Sequence, residues 1–123
     1  MYIYSFEKLE VWQLARKFRK EIYVTTKNFP SEEKFGLTSQ LRRSASSIGD
    51  NLAEGSGKLT SRDKAHYTTI AFGSAMETVN HLIGSLDLSY ISEEEYLFLR
   101  EKLEVITRML TRLHVSQIKV IGG

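Results

Sequence analysis

Few side chains in this sequence could do chemistry, and their spacing limits what that chemistry could be. The histidines are His66, His81 and His114, and cysteine is absent. Without cysteine, disulfides and thiolate metal sites are excluded. Glu77 and His81 stand four residues apart, which puts a carboxylate and an imidazole on one helix face. A lone pair of this kind is expected to be hydrogen-bonded surface, because no Glu-x-x-His repeats as a di-iron bundle demands. No metal and no cofactor are expected. Gly55-Ser56-Gly57-Lys58 has glycines and a lysine, but not the spacing of a phosphate-binding loop. No Gly-x-Ser-x-Gly elbow accompanies the many serines. The expectation is a protein that is not an enzyme.

Asn51, Glu54 and Glu77 form the other candidate cluster. A carboxylate between helices needs a partner to stay ionised, so these three are expected to form a structural network. Arg42 or Arg43 would be the partner. Adjacent helical residues point about 100° apart, so at most one of the two arginines faces inward. One is expected in a subunit contact and the other on a basic surface.

Arg16, Arg19, Lys20 and Lys27 gather on one helix face, with Lys17 and Tyr23 adjoining. Alone, such a stripe is ordinary solvated surface. Reinforced by a second helix or subunit, it becomes a phosphate contact. The residues proposed for a nucleic-acid interface are Arg16, Arg19, Lys20, Arg42, Arg43, Lys58 and Arg62. Net charge is only +2, but residues 1–62 carry eleven Lys and Arg against seven acids, and the remainder six against eight. That imbalance and a pI near 8.9 permit a polyanionic partner.

The elements that would position these groups are helices. Leu37, Leu41, Ala45, Ile48 and Leu52 recur in steps of three or four, a helical stripe with small residues between. Four helices are predicted, at about 6–28, 32–55, 60–89 and 92–115. Ser5 would cap the first, whose core face is Leu9, Trp12, Ala15, Phe18, Ile22, Thr26 and Phe29. Pro30 ends the first hairpin, and a turn around Phe35-Gly36 is expected to interrupt the next start. Thr60 to Asp63 reads as a capping-box variant before a face of Tyr67, Ile70, Ala71, Ser74, Thr78, Leu82 and Leu86. Ser92 to Glu95 is a stronger box, opening the heptad seam Tyr96, Leu99, Leu103, Ile106, Leu110 and Leu113. Val115 to Gly123 has three readings: continued helix, a strand-like segment beside Met1 to Tyr4, or disorder.

Together these predict one all-α domain over 1–123, an up-down-up-down antiparallel four-helix bundle. At this length roughly two thirds of the unfolded surface can be buried. No apolar run approaches the roughly 18 residues of a membrane span, and no signal peptide is apparent, so a cytoplasmic protein with no membrane partner is expected. Trp12, Tyr23, Phe72, Tyr90, Tyr96 and Phe98 exceed what one narrow core can hold, so some should line an interface.

Phe35-Gly36-Leu37, Gln40 to Arg43, Ser47-Ile48, Asn51, Ala53 to Gly55 and Gly57-Lys58 resemble the bacterial four helix bundle protein family. It is also called the 23S rRNA intervening-sequence protein family. Phe6 to Leu9, Val11-Trp12 and Ala15, then Ile22-Tyr23 and Phe29-Pro30, extend the likeness, as do Tyr67, Ile70-Ala71, Gly73-Ser74 and Glu77. Ala65 and Thr68 depart from it, standing where larger apolar residues are expected, and so does Gly49, where proline is frequent. The accessory variability protein of diversity-generating retroelements is similar in fold. The resemblance implies a ring-like homo-oligomer, a pentamer, and a placement within 23S rRNA genes. The expected function is a non-enzymatic oligomeric bundle that binds nucleic acid, structured RNA in particular. The alternative is a protein-interaction scaffold, for example an accessory subunit of a reverse transcriptase.

Overall fold

The computed structural model describes residues 1–122. Four helices, α1 (Glu10–Thr26), α2 (Leu37–Ser56), α3 (Ser61–Asp87) and α4 (Glu93–Gly122), form a helical bundle, and no strand occurs among the described residues. α2 packs most extensively on α3, α3 on α4, and α1 closes the bundle against α2 and α4.

The core follows the three-to-four periodicity of the sequence. Ala15, Phe18 and Ile22 of α1 meet Leu41, Ala45, Ile48 and Leu52 of α2, while α4 contributes Leu99, Leu103, Ile106 and Leu110. Each fully buried Phe, Ile or Leu contributes about 1.5–3 kcal/mol relative to exposure. α3 is different, because it buries a thin face. Ala65, Thr68, Ala71, Ser74, Ala75, Thr78 and Ser85 are buried, with Leu82 the one large residue among them. The sequence places Ile70 on this face; the structure leaves it 38% exposed. α2 and α3 also approach each other closely. A Cβ at Gly55 of α2 would stand 2.8 Å from the Cβ of Tyr67, so only small side chains fit between the two backbones.

The ends of the elements depart from the expected bounds for local reasons. The first helix starts at Glu10, not near residue 6, because Leu9 is extended and Ser5–Lys8 closes as a separate 3-10 turn. Ser5 is not the cap; it lies inside that turn. Glu7 secures the turn by accepting the Tyr4 N–H (2.8 Å), and its carbonyl accepts from the Gln13 amide (2.9 Å). Before α2, a 3-10 turn at Ser31–Glu33 displaces the helix start to Leu37. Glu33 ties two loops together, accepting from the Leu37 N–H (3.2 Å) and the Tyr90 hydroxyl (2.9 Å).

Thr60 caps α3 through the Asp63 N–H (3.1 Å), and Ser92 and Glu95 exchange both bonds of a full capping box at α4. α3 ends in a Schellman motif, with Ser89 left-handed (φ 60°) and the Ser89 and Tyr90 N–H groups bonded to the Leu86 and Ser85 carbonyls. Of the three readings of the tail, the structure takes continued helix: α4 has no stop signal before Gly122. Thr68 donates to the Gln117 side chain (2.8 Å), tying that extension to α3.

Candidate nucleic-acid interface

Burial of Val11, Ala15, Phe18, Ile22 and Thr26 fixes the rotation of α1, so Arg16, Arg19, Lys20 and Tyr23 must face outward. Across from them α2 presents Ser46, Gly49, Asp50 and Ala53, short side chains that leave a groove between the helices. The groove has two connected parts that share Arg16, Arg19 and Ser46. One, about 220 Å³, is walled by Phe6 and Trp12; the other, about 440 Å³ and more open, reaches Lys20 and Tyr23. Arg16, Arg19 and Lys20 make no ion pair among the described residues. Their charge is free to meet a ligand. The Arg16 guanidinium lies 5.7 Å from the Trp12 ring centre.

Arg42 and Arg43 part as their helical spacing requires. Arg42 turns toward α1: its Nε donates to the Thr26 hydroxyl (2.8 Å), and the guanidinium lies 4.6 Å from the Tyr23 ring centre. No carboxylate neutralises it among the described residues, so it adds positive charge beside the groove. Arg43 turns toward α3, where it pairs with Glu77 and donates to Gln40 Oε1 (2.8 Å). Glu77 also meets His81 Nε2 at 3.2 Å. Burial, and then the nearby Arg43 charge, hold the His81 pKa below the usual imidazole value.

The structure does not join Asn51, Glu54 and Glu77 into one network. Asn51 donates to the Ser47 carbonyl (2.8 Å) and hydroxyl (2.9 Å), and Ser47 bonds Ser74 across the α2–α3 seam (2.8 Å). A second seam bond runs from Thr78 to Ser44 (2.9 Å), both fully buried. Glu54 is exposed and meets only the Tyr67 hydroxyl, at 3.5 Å. Lys58 lies over the Tyr67 ring (5.0 Å), and Arg62 is exposed in the first turn of α3. The seven proposed basic residues therefore fall into three places. Arg16, Arg19, Lys20 and Arg42 share the α1–α2 groove, Lys58 and Arg62 flank the α2–α3 connection, and Arg43 is neutralised at the seam.

Sequence reasoning missed Trp12, Ser46, Gly49 and Asp50 as groove residues. Ser46 and Asp50 were readable as an i, i+4 pair lying off the Leu41–Ala45–Ile48–Leu52 stripe. Among the described residues no group of three or more potential ligands could hold a metal ion, and no helix is long and apolar enough to cross a membrane.

Comparison with known proteins places the fold. No curated protein matches the chain. A crystal structure of a protein of unknown function from the S23 ribosomal protein family of Bacteroides thetaiotaomicron superposes with a TM-score of 0.76 and 25% identity. The match covers 85% of this chain and 97% of that one. The family described as 23S rRNA-intervening sequence protein matches residues 7–112, which takes in α1 to α3 and most of α4. The chain belongs to the 23S rRNA-intervening sequence protein family.

Proposed function

We propose that this protein is a non-enzymatic, cytoplasmic RNA-binding bundle whose α1–α2 face contacts the phosphate backbone of structured RNA. One observation carries the reading: Arg16, Arg19 and Lys20 project from α1 without an ion pair among the described residues, Asp50 is the one acid lining the groove, and Arg42 adds charge beside them. Within α1 no acid stands three or four residues from any of the three, where it would offset their charge. Consecutive helices run antiparallel in this reading, and copies of the bundle assemble into a ring, a pentamer. A ring repeats the groove around its surface, so that weak contacts by one subunit add as multivalent binding.

Phosphate binding releases condensed counterions, so affinity should fall linearly with salt on logarithmic axes. Three cations per subunit correspond to a slope of about −2 to −3 for each subunit engaged. Binding to a structured RNA would be measured across a salt series for wild type and an R16E/R19E/K20E variant, with native mass showing equal assembly. A steep slope that the variant flattens supports the proposal. Failure of the intact wild-type oligomer to bind at low salt would sink it.

A second reading, a scaffold for another protein such as a reverse transcriptase, is favoured by apolar exposure elsewhere. Tyr2 and Tyr4 of the N-terminal arm and Val115, Ile118 and Val120 of α4 are open to solvent. Their contacts would bury apolar area and respond weakly to salt, which separates the two readings in the same titration.

A further inference from the structure

We propose that the α1–α2 groove takes unpaired nucleotides, their bases stacked on Trp12 and Tyr23 while Arg16, Arg19 and Lys20 hold the phosphates. This rests on the RNA reading above and narrows it from backbone electrostatics to a stated RNA state.

Three features point there. The first is aromatic surface beside free charge. Tyr23 is 42% exposed at one end of the groove, and Trp12, half-buried, walls the other. Paired A-form RNA offers its backbone and shallow minor groove, with base faces hidden in the stack. Cations interleaved with partly exposed rings, each with a guanidinium over one side, match instead the way single strands are held, by phosphates in a basic groove and bases on aromatic platforms.

The second feature is Asp50. A carboxylate inside a phosphate-binding groove repels phosphate, so a contact made by backbone alone would be weakened by it. For an exposed base the same carboxylate is an acceptor for an exocyclic amino group, as acidic side chains are for cytosine. Asp50 lies in the part of the groove walled by Trp12, whereas Lys20 and Tyr23 line the other part. Arg16 and Arg19 run along both parts, so phosphates follow them and Lys20 while one base meets Trp12 and Asp50 and its neighbour meets Tyr23.

The third is the shape of the α2 wall. A Cβ at Gly49 would stand 3.5 Å from Trp12 Nε1, so the indole N–H edge faces a wall with no side chain. No acceptor pairs with that N–H among the described residues, and Ser46 likewise makes no side-chain hydrogen bond there. An indole donor, a hydroxyl and a carboxylate thus border one slot without engaging one another, an arrangement suited to the mixed edge of a base.

Trp12 is the only tryptophan, so its fluorescence reports this slot alone. The probes are an unstructured oligoribonucleotide and a blunt RNA duplex with the same number of phosphates, at one low salt concentration. The single strand is expected to quench Trp12 and to bind roughly ten-fold tighter than the duplex. Tyr23→Ser removes a platform, and Ser46→Leu fills the groove; each should weaken single-strand binding about five-fold or more and weaken duplex binding by a smaller factor. Tyr23→Phe keeps the ring and should bind as wild type. Native mass and far-UV circular dichroism confirm that the variants are folded and assembled. Equal affinity for the two RNAs, or single-strand binding unaltered in Tyr23→Ser and Ser46→Leu, would overturn this inference while the RNA reading stands. Binding of neither RNA by wild type would overturn both.

Discussion

Arg43 of α2 is ion-paired with Glu77 of α3, and this pairing distinguishes it from its neighbour Arg42, whose charge stays open beside Tyr23. The paired side chains are 55% and 36% exposed, so solvent screens them and the contact contributes about 0.2–1 kcal/mol. Glu77→Gln should therefore lower stability by less than about 1 kcal/mol in urea denaturation. The same variant frees a positive charge and should raise RNA affinity. Arg43→Ala in the wild-type background should lose less RNA affinity than Arg16→Ala; equal losses would contradict the neutralised role.

The depressed pKa of His81 gives stability a defined pH dependence. Its ordinary value is 6.5, and burial plus the Arg43 charge make the native imidazole harder to protonate than the unfolded one. The unfolded chain then binds more protons below that value, so the contribution is complete above about pH 6.5 and is lost as pH falls. The urea midpoint should drop between about pH 7.5 and pH 5.5, and His81→Gln should reduce the drop. Superimposable profiles for the two proteins would count against this assignment.

The Thr78–Ser44 hydrogen bond sits at zero exposure on both sides, where an unmade bond is costly. Thr78→Val keeps the shape and removes the donor, and should destabilise by about 1–2 kcal/mol. Ser44→Ala should cost a similar amount. Because they lose the same bond, the double variant should cost less than the two singles together, by about 0.5 kcal/mol or more. Strict additivity in thermal or urea unfolding would show that the bond is not shared in this way.

Ser89 holds the left-handed position of the α3 Schellman motif, a conformation that costs an L-residue roughly 1 kcal/mol and glycine little. Ser89→Gly should raise stability by up to about 0.5 kcal/mol, after allowing for the extra freedom of glycine in the unfolded chain. A lower melting temperature for this variant would mean that the Ser89 side chain makes an offsetting contribution.

Legibility in the sequence varied with the size of the buried residues. Leu41, Ile48 and Leu52 of α2 and Leu99, Leu103, Ile106 and Leu110 of α4 repeat large apolar groups, and all are buried as their spacing implies. α3 misled, because hydrophobicity favours Ile70 for the core whereas the smaller Ala65, Thr68 and Ala75 are the residues buried there. The N-terminal break was invisible for another reason. Leu9 is extended with neither glycine nor proline to mark it, held by Glu7 and Gln13 from either side. At the candidate site, the outward direction of Arg16, Arg19 and Lys20 was readable from α1 alone. The division of Arg42, Arg43, Asn51, Glu54 and Glu77 among different partners was not. It depends on how α2 is rotated against α1 and α3, which is set by packing rather than by any motif.

The narrow seam between α2 and α3 also bears on the order of events when the chain folds. Only residues 57–60 separate the two helices, so bringing them together closes a short loop at little entropic cost. Their small facing residues can dock before the bulky α1 and α4 side chains arrive, making this pair the expected folding nucleus. Substitutions there, such as Gly55→Ala with its Cβ 2.8 Å from that of Tyr67, should slow refolding. Phe18→Leu in α1 should chiefly speed unfolding instead. Chevron plots of the two variants test this directly: if Gly55→Ala altered only the unfolding arm, the nucleus would lie elsewhere. A protein built around so thin a seam would owe its folding speed to its smallest side chains.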